Sequence, residues 1–380
     1  MLFELSEEQL MIQQAARDFA QTELKPGVIE RDEHQKFPAA QVAKLGELGF
    51  LGMMVNPKYN GSGMDAVSYV LVMEELSKID ASASVVVSVN NSLVCYGLEA
   101  YGNEAQKEKY LKPLASGEKI GAFCLSEPEA GSDATSQQTT AEDMGDYYLL
   151  NGTKNWITNG STASTYLVIA QTHKELRHKG INAFIVEAGT PGFTVGPKEN
   201  KLGIRGSDTH SLMFNDVKVP KENRIGDDGF GFSFAMKTLE GGRIGIAAQA
   251  LGIAAGAYEL ALEYSKQRKS FGKPISDHQA IAFKLADMAT QIEAARMLVY
   301  KAAWLKDQGE SYTLAGSMAK LFASKVAMDV TVEAVQIHGG YGFVKEYHVE
   351  RLMRDAKITQ IYEGTSEIQK MVISRNILSK

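Results

Sequence analysis

Hydrophobic residues recur with helical spacing in the first and last thirds of the chain and with strand-like spacing in between. Ser6 and Gln9 have the spacing of a capping box, which predicts a helix start. That helix should end at about Lys25, because Pro26 disfavours helical backbone in the residue before it. Four further helices are predicted before the texture changes, over residues 39–48, 66–79, 83–101 and 104–116.

The middle third, from about Ile120 to Gly226, has the composition and alternation of β-strands. Asn151-Gly152 separates two β-type runs, 146–150 and 154–157, and this pattern predicts a hairpin. Further strands are predicted over residues 165–172, 181–187, 192–195 and 210–214. Turns at intervals of about ten residues are typical of an antiparallel sandwich or barrel. The charged stretch 174–179 should be a solvated loop.

The last third returns to helical periodicity and predicts four or five long helices with short connections, which is typical of an antiparallel bundle. Its apolar positions at helical spacing are Ile281, Leu285, Met288 and Ile292, then Phe322, Val326, Val330, Ala334 and Ile337. The small residues of 243–248 permit close packing, including packing between subunits. The fold class is therefore α+β multidomain: a helical domain (1–118), an antiparallel β domain (119–228) and a C-terminal helical bundle (229–380).

Composition excludes several classes of function. The chain has 380 residues and a net charge of −6, so it lacks the basic surface typical of nucleic-acid binding. Its two cysteines, Cys95 and Cys124, lack CxxC spacing, and its seven histidines lack metal-ligand spacing. The N-terminus is acidic and amphipathic, unlike a signal or transit peptide, and no apolar run reaches about 18 residues. We therefore expect a cytoplasmic protein with no metal and no membrane or nucleic-acid partner.

The usual nucleotide and catalytic motifs are absent from the sequence. It has no P-loop, no HExxH and no GxGxxG after a strand. The glycines of 339–342 follow a helix, so they do not indicate a Rossmann fold.

Four other segments have unusual chemistry, and each also has an ordinary structural explanation. In 123–134 a strand runs into a turn whose backbone N–H groups suit a polar ring edge or a phosphate, but the pattern alone favours an ordinary loop. In 156–160, Trp156 and Thr158 share one face of a strand and suit an aromatic ligand, although a half-buried strand end explains them too.

The other two segments lie in the helical last third. The basic turn 268–274, with His278 and Gln279 after it, suits a pyrophosphate, or simply places cations at a helix C-terminus. In 361–368, Glu363 stands at a junction broken by Gly364, so its carboxylate either projects into a cleft or is an exposed structural group.

Taken together and in this order, FCLSEPEAGSDA, WITNG, RKSFGKPISDHQ, QIHGGYGF and IYEGTSEIQ resemble the acyl-CoA dehydrogenase family, most closely its short-chain (butyryl-CoA) branch. The resemblance covers essentially the whole chain. It implies an FAD enzyme that oxidises short-chain acyl-CoA, with Glu363 removing the α proton while a hydride passes from Cβ to flavin N5. It also implies a homotetramer and electron-transfer flavoprotein as acceptor.

The resemblance also implies roles for individual residues. The cofactor-binding positions are Phe123, Leu125, Ser126, Gly131, Ser132, Trp156, Ile157, Thr158, Arg268, Ser270, Phe271, Gln279, Gln336, Gly339, Gly340, Thr365, Ser366 and Glu367. The substrate-binding positions are Ser132, Glu240, Gly241, Gly242, Arg243 and Gly364. Of the first set, Arg268 and Gln279 are implied to hold the FAD phosphates and adenosine from the neighbouring subunit, and residues 336–340 to make a further contact on the adenine side.

The resemblance narrows the choice within the family. In the isovaleryl and long-chain branches the base comes from another helix, at the position that is Gly242 here, and a glycine cannot serve. Glu240 stands where an aspartate is common, which leaves its contact open. Residues 88–93 resemble the short-chain branch and would form the floor of a pocket for C4 to C6 chains. The alternatives are an acyl-CoA oxidase, a branched short-chain acyl-CoA dehydrogenase and a non-catalytic flavin-binding assembly protein.

Overall fold

The computed structural model describes residues 4–379. Its first third is helical, as predicted. Helix α1 (Glu7–Phe19) begins at Ser6, and the predicted capping box with Gln9 is present. A π-helical turn, Ala20–Leu24, then carries the helix to its end beside Pro26. The other helices before the sheet are α2 (Val28–Glu33), α3 (Ala39–Glu47), α4 (Ala66–Ser77), α5 (Ala81–Ser88), α6 (Tyr96–Tyr101), α7 (Glu104–Gln106) and α8 (Lys112–Ala115).

Like the first helix, two more of the predicted helices contain π-helical turns, and α2 was not predicted at all. The helix expected over 83–101 is α5 and α6 joined by the π-helical turn Val89–Cys95. The helix expected over 104–116 is α7 and α8 joined by the π-helical turn Lys107–Leu111. Hydrophobic spacing specifies a helical face, but it does not distinguish the wider turn from the α-helical one.

The middle third forms one eight-stranded sheet with the order β6-β7-β3-β2-β4-β5-β8, and β1 pairs with β4. Its strands are β1 (Gly121–Cys124), β2 (Thr140–Asp143), β3 (Tyr147–Thr158), β4 (Thr165–Gln171), β5 (Ile181–Glu187), β6 (Phe193–Lys198), β7 (Thr209–Pro220) and β8 (Arg224–Ile225). Both β1 and β2 run parallel to β4, so the sheet is mixed and not wholly antiparallel as predicted. Each of these parallel partners is reached by a crossover and not by a tight turn.

The predicted hairpin at Asn151-Gly152 is wrong. These residues lie inside the single twelve-residue strand β3, at an irregularity in its pairing with β7. The turn instead follows β2, where Gly145 has a φ of +90° and the Met144 N–H donates to the Tyr147 carbonyl (2.9 Å). The long partner strand β7 pairs with β3 on both sides of Gly152, and this tertiary pairing overrides the local turn preference.

The last third is the predicted helical bundle. Its helices are α9 (Gly231–Gln267), α10 (Gln279–Asp307), α11 (Thr313–His338), α12 (His348–Ile358) and α13 (Ser366–Leu378), and the short strands β9 (Lys269–Ser270) and β10 (Lys273–Pro274) pair between α9 and α10. The predicted apolar positions of α10 and α11 are buried or pack on the core. The small residues of 243–248 are also buried within the chain. Gly245 faces Tyr69 and Ser88, so this close approach joins α9 to α4 and α5 and not one subunit to another.

Two helical stretches, Ala81–Tyr101 and Gly231–Gln267, are long and apolar enough to cross a membrane by length and composition. Both are mostly buried inside the fold. They are its central core helices, and this explains their composition without a bilayer.

Candidate active site

Glu363 lies in a sharp turn between α12 and α13. Both Glu363 (φ +52°) and Gly364 (φ +95°) have left-handed backbone, which a residue with a side chain rarely adopts. Thr365 then caps α13 by accepting a hydrogen bond from the Ile368 N–H (3.3 Å). The Ser366 N–H donates to the Gln360 carbonyl (3.0 Å), which closes the turn. The reversal directs the Glu363 side chain into the protein, away from the solvated surface.

The Glu363 carboxylate points at α9. Its Oε2 is buried and has no hydrogen-bond partner among residues 4–379. It lies against Gly242, where an added Cβ would overlap it and would also lie 2.9 Å from Leu93 Cδ2. A buried carboxylate that no donor neutralises is costly to maintain, and such groups are typical of functional sites. Three elements therefore meet at the unpaired Oε2 of Glu363: helix α9, the π-helical turn 89–95 and the turn at 363.

Burial raises the pKa of Glu363 to about 7, although the nearby cations Lys320 and Arg243 act in the opposite direction. Arg243 is itself buried, and its Nη1 donates only a long hydrogen bond to Ser317 Oγ (3.4 Å). Neither cation makes a hydrogen bond to the carboxylate among the described residues. A carboxylate with a pKa near the working pH is suited to general-base chemistry.

A second group of predicted site residues surrounds the end of β1. Phe123 and Leu125 are partly buried there, and the Asn155 N–H of β3 donates to the Ser126 carbonyl (2.9 Å). A bulge in β3 gives Trp156 a φ of +57° and leaves its side chain 57% exposed, while Ile157 is 2% exposed. The bulge therefore directs the indole away from the sheet's core.

A buried ion pair that the sequence analysis missed supports this group. Lys154 Nζ donates to Glu127 Oε1 (2.7 Å) and to the Leu125 carbonyl (3.0 Å), and both charged side chains are inaccessible to solvent. Glu127 also accepts from the Thr139 N–H (3.1 Å). The only sign in the sequence was a lysine at a core-facing position of a strand. The pair holds the loop after β1 in place.

The two groups share one apolar wall. Phe123, Leu125 and Tyr362 pack on the same buried cluster, which includes Leu93 and Phe234. Between them the site offers an uncovered indole at Trp156, accessible polar groups at Ser132 and Thr158, and the unpaired Glu363 carboxylate. This combination of an aromatic face and polar groups fits a flat aromatic cofactor with polar edges, such as a flavin.

The remaining predicted cofactor residues form a separate exposed surface. It consists of Arg268, Ser270, Phe271, Gln279, Gln336, Gly339 and Gly340. The Arg268 guanidinium carbon lies 5.6 Å from the centroid of the Tyr341 ring. This contact joins the end of α9 to the turn after α11. Phe271 is 94% exposed. Within residues 4–379, no hydrogen bond or aromatic contact connects this surface to 123–132 or 156–158.

The predicted substrate positions on α9 lie beside the turn at 363. The carboxylate of Glu240 accepts a hydrogen bond from Thr313 Oγ1 (3.0 Å). An added Cβ on Gly241 would lie 3.7 Å from Lys306 Nζ, in ordinary contact. In the stretch that is predicted to form the pocket floor, Asn90 and Asn91 donate hydrogen bonds to backbone carbonyls of neighbouring segments. Leu93 is the residue of that stretch that reaches Gly242.

Helical, sheet and helical layers around a buried carboxylate and an uncovered indole define a flavoprotein dehydrogenase. Family models of the acyl-CoA dehydrogenase N-terminal, middle and C-terminal domains match residues 6–118, 122–217 and 229–378. The chain belongs to the acyl-CoA dehydrogenase family.

Individual relatives are similar along their full length. The chain is 52% identical to a short-chain specific acyl-CoA dehydrogenase of Clostridium acetobutylicum, over 99% of both chains. It is 53% identical to butyryl-CoA dehydrogenase from Megasphaera elsdenii, whose structure it matches with a TM-score of 0.98 over 100% of both chains. It is 48% identical to CarC, a subunit of the caffeyl-CoA reductase-Etf complex of Acetobacterium woodii, over 99% of both chains.

Proposed function

We propose that this protein is an FAD-dependent short-chain acyl-CoA dehydrogenase that converts butyryl-CoA to crotonyl-CoA. The observation that carries the proposal is the buried, unpaired Oε2 of Glu363 against Gly242. Bound FAD would be the oxidant that accepts the hydride from Cβ. The residues of the chain supply the base, the geometry and a site with restricted access to water.

Glu363 removes the α proton of the thioester. The α C–H is a weak acid and a carboxylate is a weak base. Two effects must therefore reduce the difference between the pKa of the α C–H and the pKa of the carboxyl group. Burial has already raised the pKa of Glu363 to about 7, which makes its anion a stronger base. A donor to the thioester oxygen stabilises negative charge there by about 3 kcal/mol. The Glu363 N–H has no acceptor among residues 4–379, and it is free for that role.

The cofactor is held by residues of both groups. Phe123 to Ser132 would line the flavin on one side, and Trp156, Ile157 and Thr158 would cover the other. Thr365, Ser366 and Glu367 begin α13 directly after the base, where the free N–H groups of a helix start favour polar ligand atoms. Gly242 leaves room for the base, and Glu240, Gly241, Arg243 and Gly364 would line the CoA side of the cleft.

Flavin bleaching tests the activity directly. Adding butyryl-CoA to the anaerobic holoenzyme should bleach the flavin absorbance of the wild-type protein. Glu363→Gln should retain FAD and bind the thioester but lose nearly all of this reduction, whereas Glu118→Gln, at an exposed loop position, should not change it. Wild-type bleaching by Glu363→Gln would exclude Glu363 as the base. Failure of the wild-type protein to bleach would favour a non-catalytic flavoprotein, and rapid oxygen consumption would favour an oxidase.

The preference for short chains has its own test. It is supported by Leu93, whose side chain lies beside Gly242, and by the short-chain names of the relatives. Rates with straight-chain C4, C8 and C16 thioesters should be highest at C4. A maximum at C8 or above would contradict the preference, and a higher rate with a branched short-chain thioester would favour the branched-chain alternative.

A homotetramer that shares FAD between subunits is the next part of the proposal. It is supported by the separation of the Arg268–Gln279 surface from the Glu363 site, and by aromatic side chains such as Phe271 and Phe343 (94% and 86% exposed). Aromatic side chains are enriched at protein–protein interfaces. Arg268 and Gln279 would then reach the FAD of a neighbouring subunit.

Subunit mixing tests the sharing. Glu363→Gln and Arg268→Ala/Gln279→Ala chains should each be inactive alone. Unfolding and reassembling them together should restore activity, because some sites would combine an intact Glu363 with an intact neighbouring Arg268. No recovery in assemblies shown to contain both chains would place both residues in the site of one chain.

Electron-transfer flavoprotein is proposed as the partner, supported by the Etf complex in the name of the relative CarC. The holoenzyme with butyryl-CoA should reduce purified electron-transfer flavoprotein under anaerobic conditions. Comparing that rate with crotonyl-CoA reduction by the reduced partner would establish the preferred direction.

A further inference from the structure

Lys320 is a buried amine that the reaction proposed above does not use. Burial lowers the pKa of Lys320 to about 7, so its side chain is mostly charged below that pH. It lies on α11 and is 1% exposed to solvent. Its Nζ donates to the carbonyl of Gly364 (2.5 Å), the residue that directly follows Glu363. Burying an ammonium group has a large free-energy cost, so a lysine here needs a specific interaction to explain it. The hydrogen-bond partner of Lys320 belongs to the turn that contains Glu363, the proposed base.

The turn that Lys320 contacts is strained. Glu363 has left-handed backbone, which costs about 1–3 kcal/mol for a residue with a side chain and persists only where surrounding contacts maintain it. Two buried donors provide those contacts. Lys320 Nζ and Gln369 Nε2 (2.9 Å) both donate to the Gly364 carbonyl, and Gln369 Nε2 also lies 3.4 Å from the Glu363 carbonyl.

The charge of Lys320 lies near the Glu363 carboxylate without a hydrogen bond to it. Lys320 stabilises the ionised form of Glu363 through space, while its hydrogen bond goes to the neighbouring peptide. A direct ion pair would stabilise the carboxylate anion strongly and make it a weaker base. Lys320 thus supports the turn and leaves Oε2 unpaired.

We propose that Lys320 is a positioning residue, which holds the Glu363–Gly364 turn so that the Glu363 carboxylate points into the cleft. This inference rests on the proposed function, because it assumes that Glu363 is the base. Lys320 does not touch the reacting atoms. Its effect is on where the base lies and on the pH at which it is ionised.

Other charged and titratable groups around this pair are intact in a Lys320 variant. Arg243 faces both Lys320 and Glu363 from α9, Glu367 faces Lys320 from α13, and Tyr362 and Tyr69 lie near the carboxylate. Removing the Lys320 charge should therefore raise the pKa of Glu363 further, because burial would then be opposed mainly by Arg243. The acid limb of the rate profile should move to higher pH.

The experiment compares Lys320→Met, Lys320→Gln and Lys325→Met holoenzymes. Lys325 is on the same helix, is exposed and pairs with Asp329, so it is the matched control. In Lys320→Met, flavin bleaching by butyryl-CoA should slow by about 10- to 100-fold, while the Kd for butyryl-CoA changes by less than about threefold. Lys320→Gln keeps a donor and should recover part of the rate. Both should move the acid limb upward by about half a pH unit or more.

A crystal structure of Lys320→Met gives a readout that does not depend on turnover. The Glu363 carboxylate should be displaced from Gly242, with its backbone outside the left-handed region. Wild-type rates and pH profiles in both Lys320 variants would overturn the proposal. So would loss of folding or of FAD in both variants, which would assign Lys320 to stability alone. If Glu363→Gln also bleached at the wild-type rate, the failure would lie in the proposed function.

Discussion

The buried oxygen Oε2 of Glu363 occupies the space that a Cβ atom on residue 242 would need. Gly242 lies in the middle of α9, where glycine has a helix propensity about 1 kcal/mol worse than alanine. The absence of a side chain here is what allows the carboxylate to lie against the helix. The conformations of the two residues are therefore interdependent.

Gly242→Ala should reduce activity much more than stability. The added methyl group would meet only the ends of two flexible side chains, those of Glu363 and Leu93, and the carboxylate would have to move. We expect kcat to fall about 100-fold with FAD retained, because small displacements of a base have large kinetic effects. Steady-state kinetics and thermal unfolding would measure both quantities.

Gly316→Ala is the control for that substitution. It adds the same methyl group to a buried helix, at 3.6 Å from Ile244 Cγ1, which is ordinary contact. Its kcat should be close to wild type. Equal effects of the two substitutions on kcat would argue against the special relationship between Gly242 and Glu363.

The rate of flavin bleaching should depend on the ionisation of Glu363. Burial raises the pKa of Glu363 to about 7, so the base is mostly protonated and inactive below that pH. The rate should rise through about pH 7 and reach a plateau above it. Stopped-flow measurements between about pH 5.5 and 9 would show this limb. A rate that is already constant from pH 5.5 would mean that the carboxyl is not perturbed in the holoenzyme.

Glu363→Gln should stabilise the protein at high pH. A carboxyl whose folded pKa is raised contributes stability that is present below its unfolded pKa and is lost as pH rises through the folded value. The ordinary pKa of a glutamate side chain is 4.5, and the pKa of Glu363 in the folded protein is about 7. We expect the variant to gain about 1–3 kcal/mol over wild type at pH 8 and nothing at pH 4.5, from unfolding titrations. Glu118→Gln, at an exposed loop position, is the control.

Lys154→Met should destabilise the loop after β1, which is proposed to line the flavin. It would leave the Glu127 carboxylate buried without its cation, which typically costs about 3–5 kcal/mol. The loop after β1 would lose two of its attachments, so FAD affinity should fall as well. Denaturant unfolding and FAD titration would measure the two effects. The double variant Lys154→Met/Glu127→Leu should recover much of the stability, and a double variant as unstable as the single one would contradict this account.

The helical thirds could be predicted from the sequence because their patterns are local. The capping box at Ser6 and the apolar spacing from Leu285 to Ile292 each specify a helix and its buried face within a few turns. The junction at Glu363 and Gly364 was recognisable for the same reason. The family was recognisable as well, because each of its motifs is a contiguous segment of the sequence.

Only the tertiary structure determined what happens where distant segments meet. Asn151-Gly152 has the local preference of a turn, but β7 pairs along the whole of β3 and removes the turn. Which cation lies under the loop after β1, and which supports the turn at 363, depended in the same way on packing between elements far apart in sequence. Local preferences amount to about 1 kcal/mol or less per residue, whereas the burial of a charge or the pairing of a long strand involves several.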